Sequence, residues 1–344
     1  MTTPRTITRP NLGLVVGLTL AALAGALIGT SLTGDVPVPG VTEPGVLVRF
    51  GLPVVRVLLD VSSLVTVGLS LLPMLLGFDR PKQTEPVLDT ARRAAVISSA
   101  AWAVTALLSL VFAAADLRPG EFPTVGTIVE YISSIGAGQA LVISAVIALV
   151  YLGFAVLALR HGEKVPAELR IVLSVFGLLP IPVTGHASNF GLAWGGHGLT
   201  MVSMELHVMG AAGWTGGLLA VGVLVLANRS LLARALPKFS RLATICLIAV
   251  GVTGLVNAVI TLAETPGVSV WTGLFVTHYG WIVIGKILCF AALGLLGANI
   301  RFRLMPLVVQ HQRMPALVGW FTFEIAVMGL AYGLAVVLTR APVV

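Results

Sequence analysis

Residues 131–159 read YISSIGAGQALVISAVIALVYLGFAVLAL, a stretch without a single Asp, Glu, Lys or Arg. A continuous apolar run of that length is what a helix rising about 1.5 Å per residue needs to cross a hydrocarbon layer about 30 Å thick. A strand of a membrane barrel would instead alternate apolar and polar positions over about 10 residues. Eight more runs of the same kind occupy 11–30, 54–76, 94–115, 168–184, 199–227, 242–263, 277–298 and 318–338. With 57% hydrophobic and only 10% charged residues in 344, an ordinary soluble domain is excluded. The expectation is an all-α, polytopic membrane helical bundle of about nine transmembrane helices. It forms one membrane domain over 1–344: five helices in 11–184, a loop at 185–198 and four helices in 199–339.

Charge gives the bundle a direction. Counting Arg56 and Arg170 with their nearer helix ends, the segments on one side hold 16 of the 21 Lys and Arg, and those on the other hold 4. Lys286 remains, inside a helix. The positive-inside rule then predicts a cytoplasmic N-terminus and an outside C-terminus. The formal net charge of +7 is mostly loop charge facing anionic lipid, so it does not point to nucleic acid. Arg5 and Arg9 before the first run resemble a signal peptide, but about 20 apolar residues exceed a cleaved core, and the run is read as a helix. Cys246 and Cys289 both fall within helices and read as packing residues, without zinc-site spacing.

Most connections are ordinary: 31–51 is a Pro- and Gly-rich outer loop, and 78–93 and 160–170 are charged inner connections. The exception is 185–198, GHASNFGLAWGGHG, which is uncharged and follows a short helix containing Pro180 and Pro182. That helix would be about 25 Å long, so the loop either lies on the outer surface or dips into the membrane. Irregular backbone at membrane depth is tolerated only against protein or a wet cavity, which makes the segment a site candidate.

Six polar side chains fall at one depth. Asp60, Gln139, Glu205, His207, Asn257 and Lys286 lie roughly six to nine residues, or about 9 to 14 Å, below the outer helix ends. An ionised group there costs at least about 2.5 to 3.5 kcal/mol and normally faces a bundle interior or a hydrated cavity. A hydrated pocket opening outward is expected. A structural alternative stands beside it: Asp60 pairs with Arg56 one turn away, and Lys286 neutralises Glu205.

Histidine and methionine sharpen the chemistry. His186, His197, His207 and His278 lie on the outer side, and the helix of His207 also carries Met201, Met204 and Met209. At about 100° per residue, His197, Met201 and Met204 form a narrow stripe, with His207 beside Met204. Imidazole with thioether suits copper, and Cu(I) in particular, since soft sulfur donors select it. Methionines at helical spacing are, taken alone, more often core or lipid-facing filler, and it is their company with four outward histidines that raises the copper reading.

The motifs GHA at 185–187, LHVMGAAGWTGGL at 206–218, FSRLATICLIAVGVTGLVNA at 239–258 and THYGWIVIGKILCFAALGLLGAN at 277–299, with Glu324 in the final helix, together resemble the copper resistance D family. The resemblance is good over about 183–339 and weaker before, so 199–339 is the family-like core. It implies a bacterial cytoplasmic (inner) membrane protein of copper uptake or handling, working beside extracytoplasmic copper-binding proteins. In actinobacteria, similar modules are often fused to a half resembling a cytochrome oxidase copper-assembly factor; this chain ends at Val344 without one. The resemblance carries over to His186, His207, Trp214, Gly216, Gly217, Tyr279, Gly280, Lys286 and Asn299. His278 departs from it, standing where a small residue or Pro is common.

The resulting expectation is copper binding at an outward-facing intramembrane site. His186, His207, His197, Met201, Met204 and His278 are the candidate ligands. Glu205, Asp60, Lys286, Asn257, Gln139, Trp214 and Tyr279 are their supporting shell or ion path. Copper, an extracytoplasmic copper-binding protein or cuproenzyme, and membrane lipid are the expected partners. No enzymatic activity is expected, and no phosphate-binding loop suggests ATP use. Two rivals stay open: a copper delivery factor for a cuproenzyme such as cytochrome oxidase, and a redox protein whose histidines hold haem b.

Overall fold

The computed structural model describes residues 11–33, 43–79, 81–120, 123–184, 196–304 and 314–341, of which 196–198, 303–304 and 314–318 are described by backbone alone. Its helices are α1 (Gly13–Leu32), α2 (Val46–Leu76), α3 (Pro81–Leu117), α4 (Val125–Ser134), α5 (Gly136–His161), α6 (Ala167–Phe176), α7 (Gly196–Leu224), α8 (Arg229–Glu264), α9 (Val270–Val276), α10 (His278–Asn299) and α11 (Met314–Leu338). No strand occurs among the described residues, and nine segments are long and apolar enough to span a membrane. The chain is an all-α, multi-pass membrane protein.

Several boundaries differ from the sequence expectation, beginning with α2, which starts at Val46 inside the 31–51 stretch read as an outer loop. The charged stretch 78–93 is mostly helical, because Leu88, Ala91 and Arg92 turn inward from the start of α3. Arg92 is held there by Glu85 at 2.8 Å and Glu163 at 3.1 Å, and Arg170 joins Glu163 at 3.1 Å. The basic stretch before 242 belongs to α8, capped by the Asn228 side chain, with Leu231, Leu232, Ala235, Leu236 and Phe239 buried along one face. The long run quoted above divides at Ile135, whose extended backbone separates α4 from α5. The run 168–184 is α-helical only to Phe176 and ends in a 3₁₀ turn, Ile181–Thr184. Pro180 and Pro182 explain that change, since neither has an N–H to continue the helical ladder.

Small residues set the tightest crossings. A Cβ on Gly68 of α2 would run into the Gly216 carbonyl of α7, and one on Gly333 of α11 into the Ala22 carbonyl of α1. In a bilayer, helices associate through such close packing and through polar contacts, because lipid offers no hydrophobic gain. Between α2, α3 and α5 runs a ladder of buried pairs: Ser62 with Thr105 at 3.2 Å, Thr66 with Ser98 at 2.8 Å, Ser70 with Tyr151 at 2.6 Å, and Trp102 with Ser144 at 3.1 Å.

Candidate functional site

Where α2, α7, α8, α10 and α11 converge, the helices enclose a cavity of about 320 Å³. Each helix offers a single face to it. Arg56, Asp60, Ser63 and Leu64 come from α2; Thr200, Met204, His207, Val208, Ala211 and Trp214 from α7; Val250, Gly254, Asn257, Ala258 and Thr261 from α8. Tyr279, Val283, Lys286, Ile287 and Phe290 come from α10, and Met328, Ala331, Tyr332, Ala335 and Thr339 from α11. The recurring steps of three and four residues are the period of one helical face. Ile181 and Pro182 of the 3₁₀ turn close one end. The Gly68–Gly216 crossing lies one turn beyond Leu64 and next to Thr215 of the lining, where it brings α2 and α7 together. The cavity also reaches Leu255 and Ile287, which are 63% and 51% exposed, so it is accessible from the flank between α8 and α10. Most of the lining is apolar, and the polar groups stand as separate points in it.

His207 shows its chemistry most clearly. Its Nδ1 lies 3.1 Å from the Thr253 hydroxyl, and that hydroxyl donates to the Ala249 carbonyl at 2.6 Å. With its own proton committed, the Thr253 oxygen accepts from Nδ1–H, which leaves Nε2 with the free lone pair. A partner that fixes the far nitrogen is the usual companion of a metal-binding imidazole. One turn earlier, the Met204 sulfur accepts from Asn257 Nδ2 at 3.7 Å. Asn257 is only 6% exposed, and its Oδ1 has no hydrogen-bond partner. The Tyr332 hydroxyl is likewise buried, with the Thr215 side chain as its hydrogen-bonding neighbour.

Charge is unevenly matched. Asp60 and Arg56 pair at 3.3 Å. Arg56 also donates to the Thr184 hydroxyl, and at 3.3 Å to the Ile181 carbonyl. This fastens the 3₁₀ turn to α2 two positions before His186. Lys286 has no ion-pair partner among the described residues, and neither does Glu205.

The cavity thus gathers Asp60, Met204, His207, Trp214, Asn257, Tyr279 and Lys286 from the sequence-predicted set. It does not gather the rest. Met201 and Glu205 lie on α7 outside the lining face, Gln139 is exposed on α5, and His278 is exposed at the start of α10. His197 falls in the first turn of α7, three positions before Thr200, with its side chain outside the described residues; His186 lies outside them altogether. Glu324 is buried in α11, away from the lining, with Oε2 unpartnered, while Arg301 donates to Thr244 at 2.6 Å. Among the described residues no three His, Cys, Asp or Glu form a metal-binding group. Sequence reading passed over Thr200, Thr215, Thr253 and Tyr332. The first two could have been found by continuing the Met204–His207 spacing along α7; Thr253 and Tyr332 sit on other helices, without a signal of their own.

Comparison with known proteins matches two regions of the chain. The family described as Copper resistance protein D matches residues 233–338, and the Copper resistance protein D-like N-terminal domain matches residues 41–195. The chain belongs to the copper resistance protein D family. The two matched regions hold α2 and the 3₁₀ turn on one side of the cavity and α8, α10 and α11 on the other, with α7 between them. A relative named Copper resistance protein D from Pseudomonas syringae pv. tomato is 27% identical over 162 residues, 42% of this chain and 50% of the relative. The chain therefore spans about half the length of that curated relative. No solved structure matches.

Proposed function

We propose that the chain binds copper as Cu(I) in the α2, α7, α8, α10 and α11 cavity, receives it from the extracytoplasmic side, and handles its uptake or transfer at the bacterial cytoplasmic membrane. It acts as a binding and transfer protein, not an enzyme. The observation that carries this reading is the placement of Met204 and His207 on one face of α7, lining one cavity, with Thr253 engaging His207 Nδ1. A thioether and a neutral imidazole are donors that favour Cu(I) over hard cations. His186 and His197, close in sequence to Pro182 and Thr200 at the cavity wall, complete the ligand set. The charge bias of the loops puts the Asp60 end of the cavity on the outer side of the membrane. An extracytoplasmic copper-binding protein is the donor or recipient.

The test is metal content and visible spectrum of protein purified from copper-supplemented cells. Wild type should carry copper, and the His186→Ala/His207→Ala double variant should carry none. Full copper stoichiometry in that variant would refute the site, and a Soret band with no copper would replace it with haem ligation. Deletion of the protein should lower cytoplasmic copper; unchanged cytoplasmic copper with an undermetallated oxidase would assign delivery instead of uptake.

A further inference from the structure

The cavity has one charge too many for a lone cation. Its charged lining residues are Arg56, Asp60 and Lys286; the first two cancel each other at 3.3 Å, and Lys286 is left. Lys286 sits among Val283, Ile287 and Phe290 and is close enough to His207 for the two to act on each other electrostatically. Met204 and His207 are neutral donors, so a Cu(I) ion they hold keeps its full positive charge. Two like charges in an apolar cavity repel strongly, because little solvent screens them. Glu205, the acidic residue on the same helix, is outside the lining and supplies no relief. A negative component is missing from the site.

Resting on the copper reading above, we propose that copper is held here together with a halide, which bonds the metal and accepts hydrogen bonds from the Lys286 ammonium. A monatomic halide suits a cavity already crowded by Phe290 and Trp214, and its softness matches Cu(I) better than a carboxylate oxygen would. The Tyr332 hydroxyl of α11, beside Thr215 in the same lining, is a further donor within the cavity. No bond within the protein changes: copper and halide enter as a pair that adds no net charge, and the lone ammonium remains the only surplus. Chloride is the halide that extracytoplasmic fluid offers.

The experiment uses the full chain in lipid nanodiscs, under reducing conditions, with free Cu(I) fixed by a chromophoric chelator. Binding is compared in chloride and nitrate at equal ionic strength. Chloride should tighten wild-type binding by at least about tenfold, since it offsets part of the cost of a charge held within the membrane. Lys286→Gln should abolish the difference, while Lys286→Arg, which keeps the charge, should preserve it. In bromide, the X-ray absorption spectrum of wild type should contain a copper–bromine scattering path, a readout that needs no variant. Copper at full stoichiometry with equal affinity in both salts and no bromine path would overturn the halide and leave the copper site standing. Absence of copper in every salt would overturn the copper reading and this inference with it.

Discussion

Helix α2 carries polar groups on two faces, and their fates differ. On the face toward α3 and α5, Ser62, Thr66 and Ser70 each meet a hydroxyl partner across the interface at 2.6 to 3.2 Å. On the face toward the cavity, Arg56 and Asp60 satisfy one another, but the walls opposite leave Asn257 Oδ1 and the Lys286 charge without partners among the described residues. Both faces are buried in the same bundle. A ladder of paired hydroxyls is complete in itself and serves helix packing. Unpaired polar atoms around a void are rare in native proteins and mark a place where something else completes the bonding.

The strongest way to break this contrast is to separate the helix that has both faces from the wall opposite. Gly68→Leu or Gly216→Leu drives a side chain into backbone at the α2–α7 crossing, costing about 3 kcal/mol or more. Each should leave little monodisperse protein on size-exclusion chromatography; recovery at wild-type yield and melting temperature would mean the crossing is looser than described. Next in size, Met204→Leu keeps volume and removes only the sulfur donor. Copper affinity, read by chelator competition, should fall about tenfold with the melting temperature nearly unchanged. An unaltered affinity would remove Met204 from the ligand set.

Ser70→Ala tests the other face. Losing the Tyr151 contact should cost about 0.6 kcal/mol, a small drop in the thermal midpoint in detergent, with copper binding intact. Loss of copper from that variant would show that the two faces are coupled. The smallest effects belong to Glu205→Gln and His278→Ala, whose side chains lie off the lining; copper stoichiometry in purified protein should stay at the wild-type value. A deficit in either would move the site out of the cavity.

Reading the chain first as sequence located all nine spans, since each is a long run whose composition alone matches a bilayer. It misjudged the charged ends of α3 and α8, where residues such as Leu231, Leu232, Ala235 and Phe239 become helical by packing against neighbours that linear composition does not reveal. Its depth argument selected Asp60, His207, Asn257 and Lys286, which line one cavity, because rise per residue is a property of every helix. The same argument admitted Gln139 and Glu205. Depth says nothing about rotation, and a residue at the right level can face lipid as easily as a cavity.

Composition and apolar run length thus determined by themselves that this is a many-span helical membrane protein, because the hydrocarbon layer imposes one length and one backbone solution on any segment crossing it. Spacing within α7 determined which of its residues share a face. Only the tertiary structure decided which faces meet, that the Thr253 hydroxyl accepts a hydrogen bond from His207 Nδ1–H, and that Lys286 has no carboxylate partner among the described residues. Those outcomes depend on how each helix is rotated about its axis, which close contacts such as Gly68 against Gly216 set between segments far apart in the chain.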